Sequence, residues 1–122
     1  MDFSWSKEQV ELREKAKIFS EENLNQDISK KDRNNLFPQE EWRKCAEFGV
    51  LGWPFKKEYG GGGFDPLTTV LMLEGLGYGS KDNGLPFSLN SQIWSTQVAI
   101  DAFGTEEQKQ KYLTKLIAGT IG

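Results

Sequence analysis

The sequence predicts an all-α domain, a five-helix orthogonal or up-and-down bundle, and three observations carry that expectation. Helix-start signals recur along the chain: Ser6 with Gln9 and Thr105 with Gln108 have capping-box spacing, and Asp65 with Pro66 pairs a cap with a first-turn proline. Behind these starts, apolar residues return at intervals of three and four, the period that builds one helical face. No stretch alternates apolar and polar residues as a half-buried strand would, and no segment repeats internally.

The first helix runs from the Ser6 cap to about Asn23 and packs through Leu12, Ala16 and Phe19, with Glu and Lys on its solvated face. The polar stretch from Asn25 to Phe37, centred on DRNN, reads as a connection. Pro38 suits the first position of a second helix and Gly49 its end, while Trp42, Cys45 and Ala46 share a face between them. Cys45 therefore reads as a small buried hydrophobe rather than a reactive thiol.

The third helix follows EYGGGGFDP, with Asp65 as its cap and a start near Pro66. Leu67, Val70, Leu71, Met72, Leu73 and Leu76 make it apolar nearly all round, which predicts burial on more than one side. Gly75, Gly77 and Gly79 let another backbone come close. Glu74 is the acidic exception, and it reads as a partnered structural carboxylate because no second acid–base residue can be placed beside it.

A fourth helix from Pro86 to about Phe103, roughly 27 Å long at the standard rise, has two unlike faces. Leu89, Ile93 and Ile100 form an apolar line, and Ser88, Ser91 and Ser95 form a stripe of small polar residues. Such a stripe serves either a ligand groove or close helix packing. The fifth helix opens at Thr105, places Glu106 and Glu107 where the helix dipole favours them, carries Tyr112, Leu113, Leu116 and Ile117 on one face, and ends at Gly119. Thr120-Ile121-Gly122 has the look of the first step of a strand.

Composition narrows the function classes. The chain has room for one domain, and although 37% hydrophobic content is modest, eight Phe and four Trp supply large core contributors. A net charge of −3 offers no positive field for nucleic acid or an anionic membrane. With no His and a single Cys, neither an intrachain disulfide nor a common structural zinc site can be assembled, and no metal ligand is assigned. No apolar window is long enough for a membrane span and no targeting segment is recognisable, so a cytoplasmic location is expected. The run Gly60 to Gly63 lacks the preceding strand and spacing of a dinucleotide fingerprint and the lysine of a P-loop, and it reads as a structural turn. Without His, and with no Ser-Lys pair in evidence, no serine nucleophile can be built.

Three segments together resemble one family, the acyl-CoA dehydrogenases. GVLGWPFKKEYGGGGFD is similar to its Gly-Leu-Pro-rich turn followed by EYGG-x-G-x-D, LEGLGYGSKDNGL to its EELGR-type helix end, and FGTEEQKQKYLTKLIAGTIG to its FGTEEQK-x-x-YLP-x-L-x-x-G segment. The pieces occur in the family's order from Gly49 to Gly122; Thr114 stands where many members have Pro, Tyr78 where Arg is frequent, and Trp53 also departs from the pattern.

The resemblance implies an enzyme that removes hydrogens from the α and β carbons of an acyl thioester, a carboxylate taking the α proton and the flavin of FAD taking the β hydride. It also implies that residues 1–119 form the N-terminal helical domain and that 120–122 begin a middle β-domain not included in this sequence. The catalytic carboxylate and most flavin contacts are expected beyond these residues, so no catalytic residue is assigned here and FAD is not expected to stay with this piece alone. By position, Phe87, Ser88, Ser91 and Ser95, with Trp94 as a neighbour, are implied to face the acyl chain as one wall of its pocket. Implied partners are an acyl-CoA or acyl-carrier thioester, an electron-transfer flavoprotein or other acceptor, and further copies of the full-length chain in a homo-oligomer. An acyl-CoA oxidase or flavin monooxygenase of the same fold, and a stand-alone helical binding module without catalysis, are the competing expectations.

Loss of the Thr105 cap in Thr105→Ala should cost about 1 kcal/mol. Urea unfolding of variant and parent measures that cost, and superimposable curves would remove Thr105 from the helix start.

Overall fold

The computed structural model describes all 122 residues and contains helices and turns but no strand. Six helices follow in order: α1 (Lys7–Asn23), α2 (Ile28–Arg33), α3 (Gln39–Phe48), α4 (Pro66–Gly79), α5 (84–103) and α6 (106–117). Helix α5 is continuous through Gly84–Ser91, a π-helical stretch Gln92–Gln97, and Val98–Phe103. Helix α6 is likewise built from Glu106–Gln108, π-helical Lys109–Leu113 and Thr114–Ile117. Two 3₁₀ turns, Val50–Gly52 and Lys57–Tyr59, shape the loop between α3 and α4.

The start signals act as their chemistry requires. Both capping boxes form, Ser6 with Gln9 and Thr105 with Gln108, each side chain satisfying an otherwise orphaned backbone N–H. Asp65 accepts the amide of Thr68 ahead of Pro66, and Gly49, at φ +95°, ends α3. Pro38 serves as the N-cap residue of α3 rather than its first helical position.

Helices α1 and α4 run side by side in the same direction: Gln9 meets Thr68, Arg13 meets Glu74, and Lys17 lies opposite Gly79. Glycine makes this approach possible, because a methyl group at Gly75 would stand 2.4 Å from the carbonyl oxygen of Arg13. The remaining core gathers against this pair. Leu24, Cys45, Leu51, Leu76, Leu89 and Ile93 are each at most 1% exposed. Phe19 of α1 stacks on Phe48 of α3 with ring centroids 4.0 Å apart, and Trp53 meets Phe48 edge-on.

Some details depart from expectation. Residues 25–37 are not simply a connection, since they contain α2 between two left-handed residues, Asp27 and Asn35. This helix fully buries no residue of its own and so leaves no apolar period in the sequence. It is tied down through Lys31, which pairs with the buried Glu41 of α3. Leu67 and Val70 are exposed, because α4 packs on two sides only and keeps a third face, shared with Tyr78, open. Glu74, expected to be a partnered carboxylate, does pair with Arg13 at 3.3 Å, and it does so on the surface. Thr120 returns its amide and its hydroxyl to the carbonyl of Lys115 and closes α6. No helix is long and apolar enough to cross a membrane.

Burial works to raise the pKa of Glu41, but its hydrogen bond to Lys31, its own backbone amide and the nearby cations outweigh burial and hold it below the usual carboxylate range. Its Oε2 is buried with no partner within the chain, so the pairing rests on Oε1 alone. Because the folded pKa lies below the unfolded one, the pair stabilises fully above the unfolded value, and that contribution is lost as pH falls through the folded value. In Lys31→Met the same carboxylate is buried without its cation, its pKa should rise, and its charge should then cost stability as pH increases. The expected deficit is on the order of 2 kcal/mol at neutral pH, between an exposed and a fully buried pair. Thermal unfolding across pH should show the deficit shrinking in acid; a deficit independent of pH would contradict the pairing.

Candidate functional site

The wall expected from the sequence is one side of α5, and the turn before α5 sets where that helix begins. Asn25 grips the turn with both ends of its side-chain amide, donating to the Gly79 carbonyl at 2.9 Å and accepting from the Lys81 N–H at 2.8 Å. Asp82 accepts the Gly84 amide at 2.8 Å, so α5 starts two residues earlier than Pro86. From there Leu85, Leu89 and Ile93 point into the core and fix the rotation of the helix about its axis.

The opposite side carries the predicted residues. Phe87 is 73% exposed, Ser91 and Ser95 are exposed, and Ser88 and Trp94 are half-buried. The Ser88 hydroxyl donates to the Gly84 carbonyl at 2.9 Å. The Trp94 indole N–H donates to Asn90 Oδ1 at 3.1 Å, and Asn90 donates onward to the Pro86 carbonyl at 2.8 Å. These local bonds leave the serine face as a shallow strip of small side chains edged by two aromatics. From Phe87 to Gln97 the helix carries no Asp, Glu, His, Lys, Cys or Tyr, so this face supplies no general acid or base of its own.

Two residues of the site were not singled out by the sequence reading. Gln97 is 0% exposed; its Nε2 donates to the Leu51 carbonyl at 2.6 Å, and its Oε1 accepts from Gln92 Nε2 at 2.9 Å. Gln92 also reaches the Leu116 carbonyl of α6 at 3.3 Å. The available signal was a polar residue continuing the four-residue series Leu89, Ile93, Gln97 on the buried side. The π-helical winding between them left no such signal.

A groove of about 590 Å³ lies at the N-terminal end of α5 between Leu36, Phe37, Glu41 and Leu85. It takes in Ser88 but not Phe87, Ser91, Trp94 or Ser95. The structure therefore brings the five predicted residues onto one helix but places only one of them in the groove, and the others lie on an open face. The glycine run is no phosphate cradle. The N–H groups of Gly60, Gly61, Gly62 and Gly63 are all donated to carbonyls of residues 52–57, and a methyl group at Gly61 would collide with the Phe55 carbonyl at 2.1 Å. Nothing in this loop fits the diphosphate of a dinucleotide.

Other titratable groups are structural. Tyr59 donates its hydroxyl to Glu106 at 2.7 Å; that bond, with burial, pushes the phenol up to about 12, and the same bond lowers the carboxylate against the opposing effect of burial. Burial, with a smaller push from Glu41, raises the Cys45 thiol to about 12 and leaves it protonated.

Residues 6–120 match the family described as acyl-CoA dehydrogenase, N-terminal domain. The chain belongs to that family. Among relatives of the acyl-CoA dehydrogenase domain, the L-prolyl-[peptidyl-carrier protein] dehydrogenase of Serratia sp. (strain ATCC 39006) is 36% identical over 121 residues, 99% of this chain and 31% of that one. The crystal structure of the prolyl acyl carrier protein oxidase AnaB superposes with a TM-score of 0.92 at 46% identity, over 95% of this chain and 31% of that chain. The structure of PigA with FAD and proline superposes with a TM-score of 0.91 at 36% identity, over 99% of this chain and 32% of that chain. The acyl-CoA dehydrogenase domain described here thus spans about a third of the length of such relatives.

Proposed function

We propose that this chain is the N-terminal, substrate-wall domain of a longer FAD-dependent oxidoreductase that dehydrogenates an acyl thioester between its α and β carbons. Phe87, Ser88, Ser91, Trp94 and Ser95 face the acyl group, and the carrier is a carrier protein rather than free coenzyme A. The observation that carries this reading is the open strip on α5: a helix whose opposite side is locked into the core presents small hydroxyl side chains and two aromatic edges to the outside. A surface of this kind suits a compact, partly polar acyl group better than a long alkyl chain, which gains most from an apolar lining. Relatives named for prolyl carrier-protein substrates support the same choice. The family model supports thioester dehydrogenation, and the structure named for PigA with FAD and proline supports the cofactor.

The wall acts by placement. Fixing the acyl group converts an encounter into an aligned, effectively unimolecular step, and excluding water strengthens the electrostatics around the α-carbon. The carboxylate that removes the α proton and the surfaces that close the pocket belong to the remainder of the longer protein in this reading. The 122 residues expressed alone should accordingly emerge colourless, while the longer protein should carry bound flavin; visible absorbance after purification measures both, and yellow flavin on the short chain would refute this division of labour.

In the flavin-loaded longer protein, Ser91→Leu would push apolar atoms into the strip. Overpacking of about 1 to 3 kcal/mol corresponds to a roughly five- to 150-fold loss of kcat/KM. The loss should grow with acyl size when prolyl and longer acyl thioesters are compared on a carrier protein, under air and anaerobically with an artificial acceptor. Turnover under air alone assigns an oxidase and turnover with the acceptor a dehydrogenase. An unchanged selectivity ratio would reduce the strip to a helix-packing surface.

A further inference from the structure

The π-helical stretch Gln92–Gln97 lies in the middle of the serine strip, between Ser91 and Val98. A π-helical winding packs its backbone less favourably than an α-helix, so it persists where surrounding contacts hold it. Here the contacts are specific. Gln97, fully buried, hangs from the Leu51 carbonyl in the 3₁₀ turn, and Gln92 spans from Gln97 to the Leu116 carbonyl of α6. The Gln92 carboxamide is also hemmed in by Gly122, where a methyl group would come 2.7 Å from Oε1. One pair of amides thereby joins α5 to the turn after α3 and to α6. Amides suit this position because each offers a donor and an acceptor without charge, so every bond is made with no buried ion.

Resting on the substrate-wall reading above, we infer that Gln97 and Gln92 are positioning residues for specificity: they hold the π-helical winding and so fix where Ser91, Trp94 and Ser95 stand against the acyl group. The winding has inner and outer sides. Ile93 and Gln97 are turned inward and buried, whereas Ser91, Ser95 and Thr96 are exposed. Releasing Gln97 from Leu51 would leave that carbonyl unsatisfied and remove a polar anchor of the wider turn, and a return towards α-helical winding rotates Ser95 relative to Ser91. A change in the buried amide thus reaches the acyl group through the placement of its neighbours.

The test uses the flavin-loaded longer protein with Gln97→Met, Gln92→Met, Ser91→Leu and, as a control that loses stability at a distance, Thr105→Ala. Each is measured for melting temperature, flavin content and the ratio of kcat/KM between prolyl and longer acyl thioesters. Both glutamine variants should shift that ratio by about tenfold at full flavin content, while Thr105→Ala lowers the melting temperature and leaves the ratio alone. If Gln97→Met fails to fold, the half-buried Gln92 decides, because its loss removes two of the three bonds without emptying the core. Glutamine variants that lose stability but keep the parental ratio overturn the positioning role while leaving the wall intact if Ser91→Leu shifts the ratio. A Ser91→Leu variant with unchanged selectivity overturns the wall, and the positioning role with it.

Discussion

The carbonyl of Arg13 reaches so far towards α4 that nothing larger than hydrogen fits at Gly75, and the carbonyl of Lys17 makes the same demand of Gly79. Much of the fold depends on this close approach of two backbones. It sets α1 and α4 parallel and in register, and it brings Asn25, just beyond α1, within reach of the turn that starts α5. Moving α4 outward by the width of a methyl group would loosen that grip and with it the start of the helix bearing the serine strip. The glycines also weaken α4 intrinsically, by roughly 1 kcal/mol each relative to alanine. Burial of Leu71, Met72, Leu73 and Leu76 offsets that cost.

Features encoded within a few residues were legible in the sequence. Ser6, Asp65 and Thr105 mark helix starts because the capping bond is local, and the Leu89–Ile93 line identifies the inward side of α5 by its spacing. Features encoded by distant partners were not. The helix Ile28–Arg33 depends on Lys31 finding Glu41 in another element, and Leu67 and Val70 remain uncovered although their residue types suit a core. π-helical winding has no distinct residue period over so short a stretch, so α5 and α6 read as plain helices.

The candidate site divides along the same line. Phe87, Ser88, Ser91, Trp94 and Ser95 fall on one helix, as their spacing implied, but neither spacing nor resemblance showed that Ser88 alone of the five enters the groove beside Glu41. The glycine run shows why composition needs context. Four consecutive glycines suggest an anion site until their amides are counted, and every one is already donated to a carbonyl of the loop. Those bonds, with the Tyr59–Glu106 contact, make the loop a rigid strut between the core and the start of α6.

The burial of Cys45 has a practical consequence. A thiol with no exposure and a pKa near 12 is almost entirely protonated at neutral pH, and maleimides and iodoacetamides react with thiolates they can reach. The native cysteine is therefore a silent background for labelling. A fluorophore or spin label attached to a cysteine introduced at Ser95 would report from the outer face of α5 without prior removal of Cys45, giving optical and magnetic access to a helix whose surface lacks a natural chromophoric reporter except Trp94.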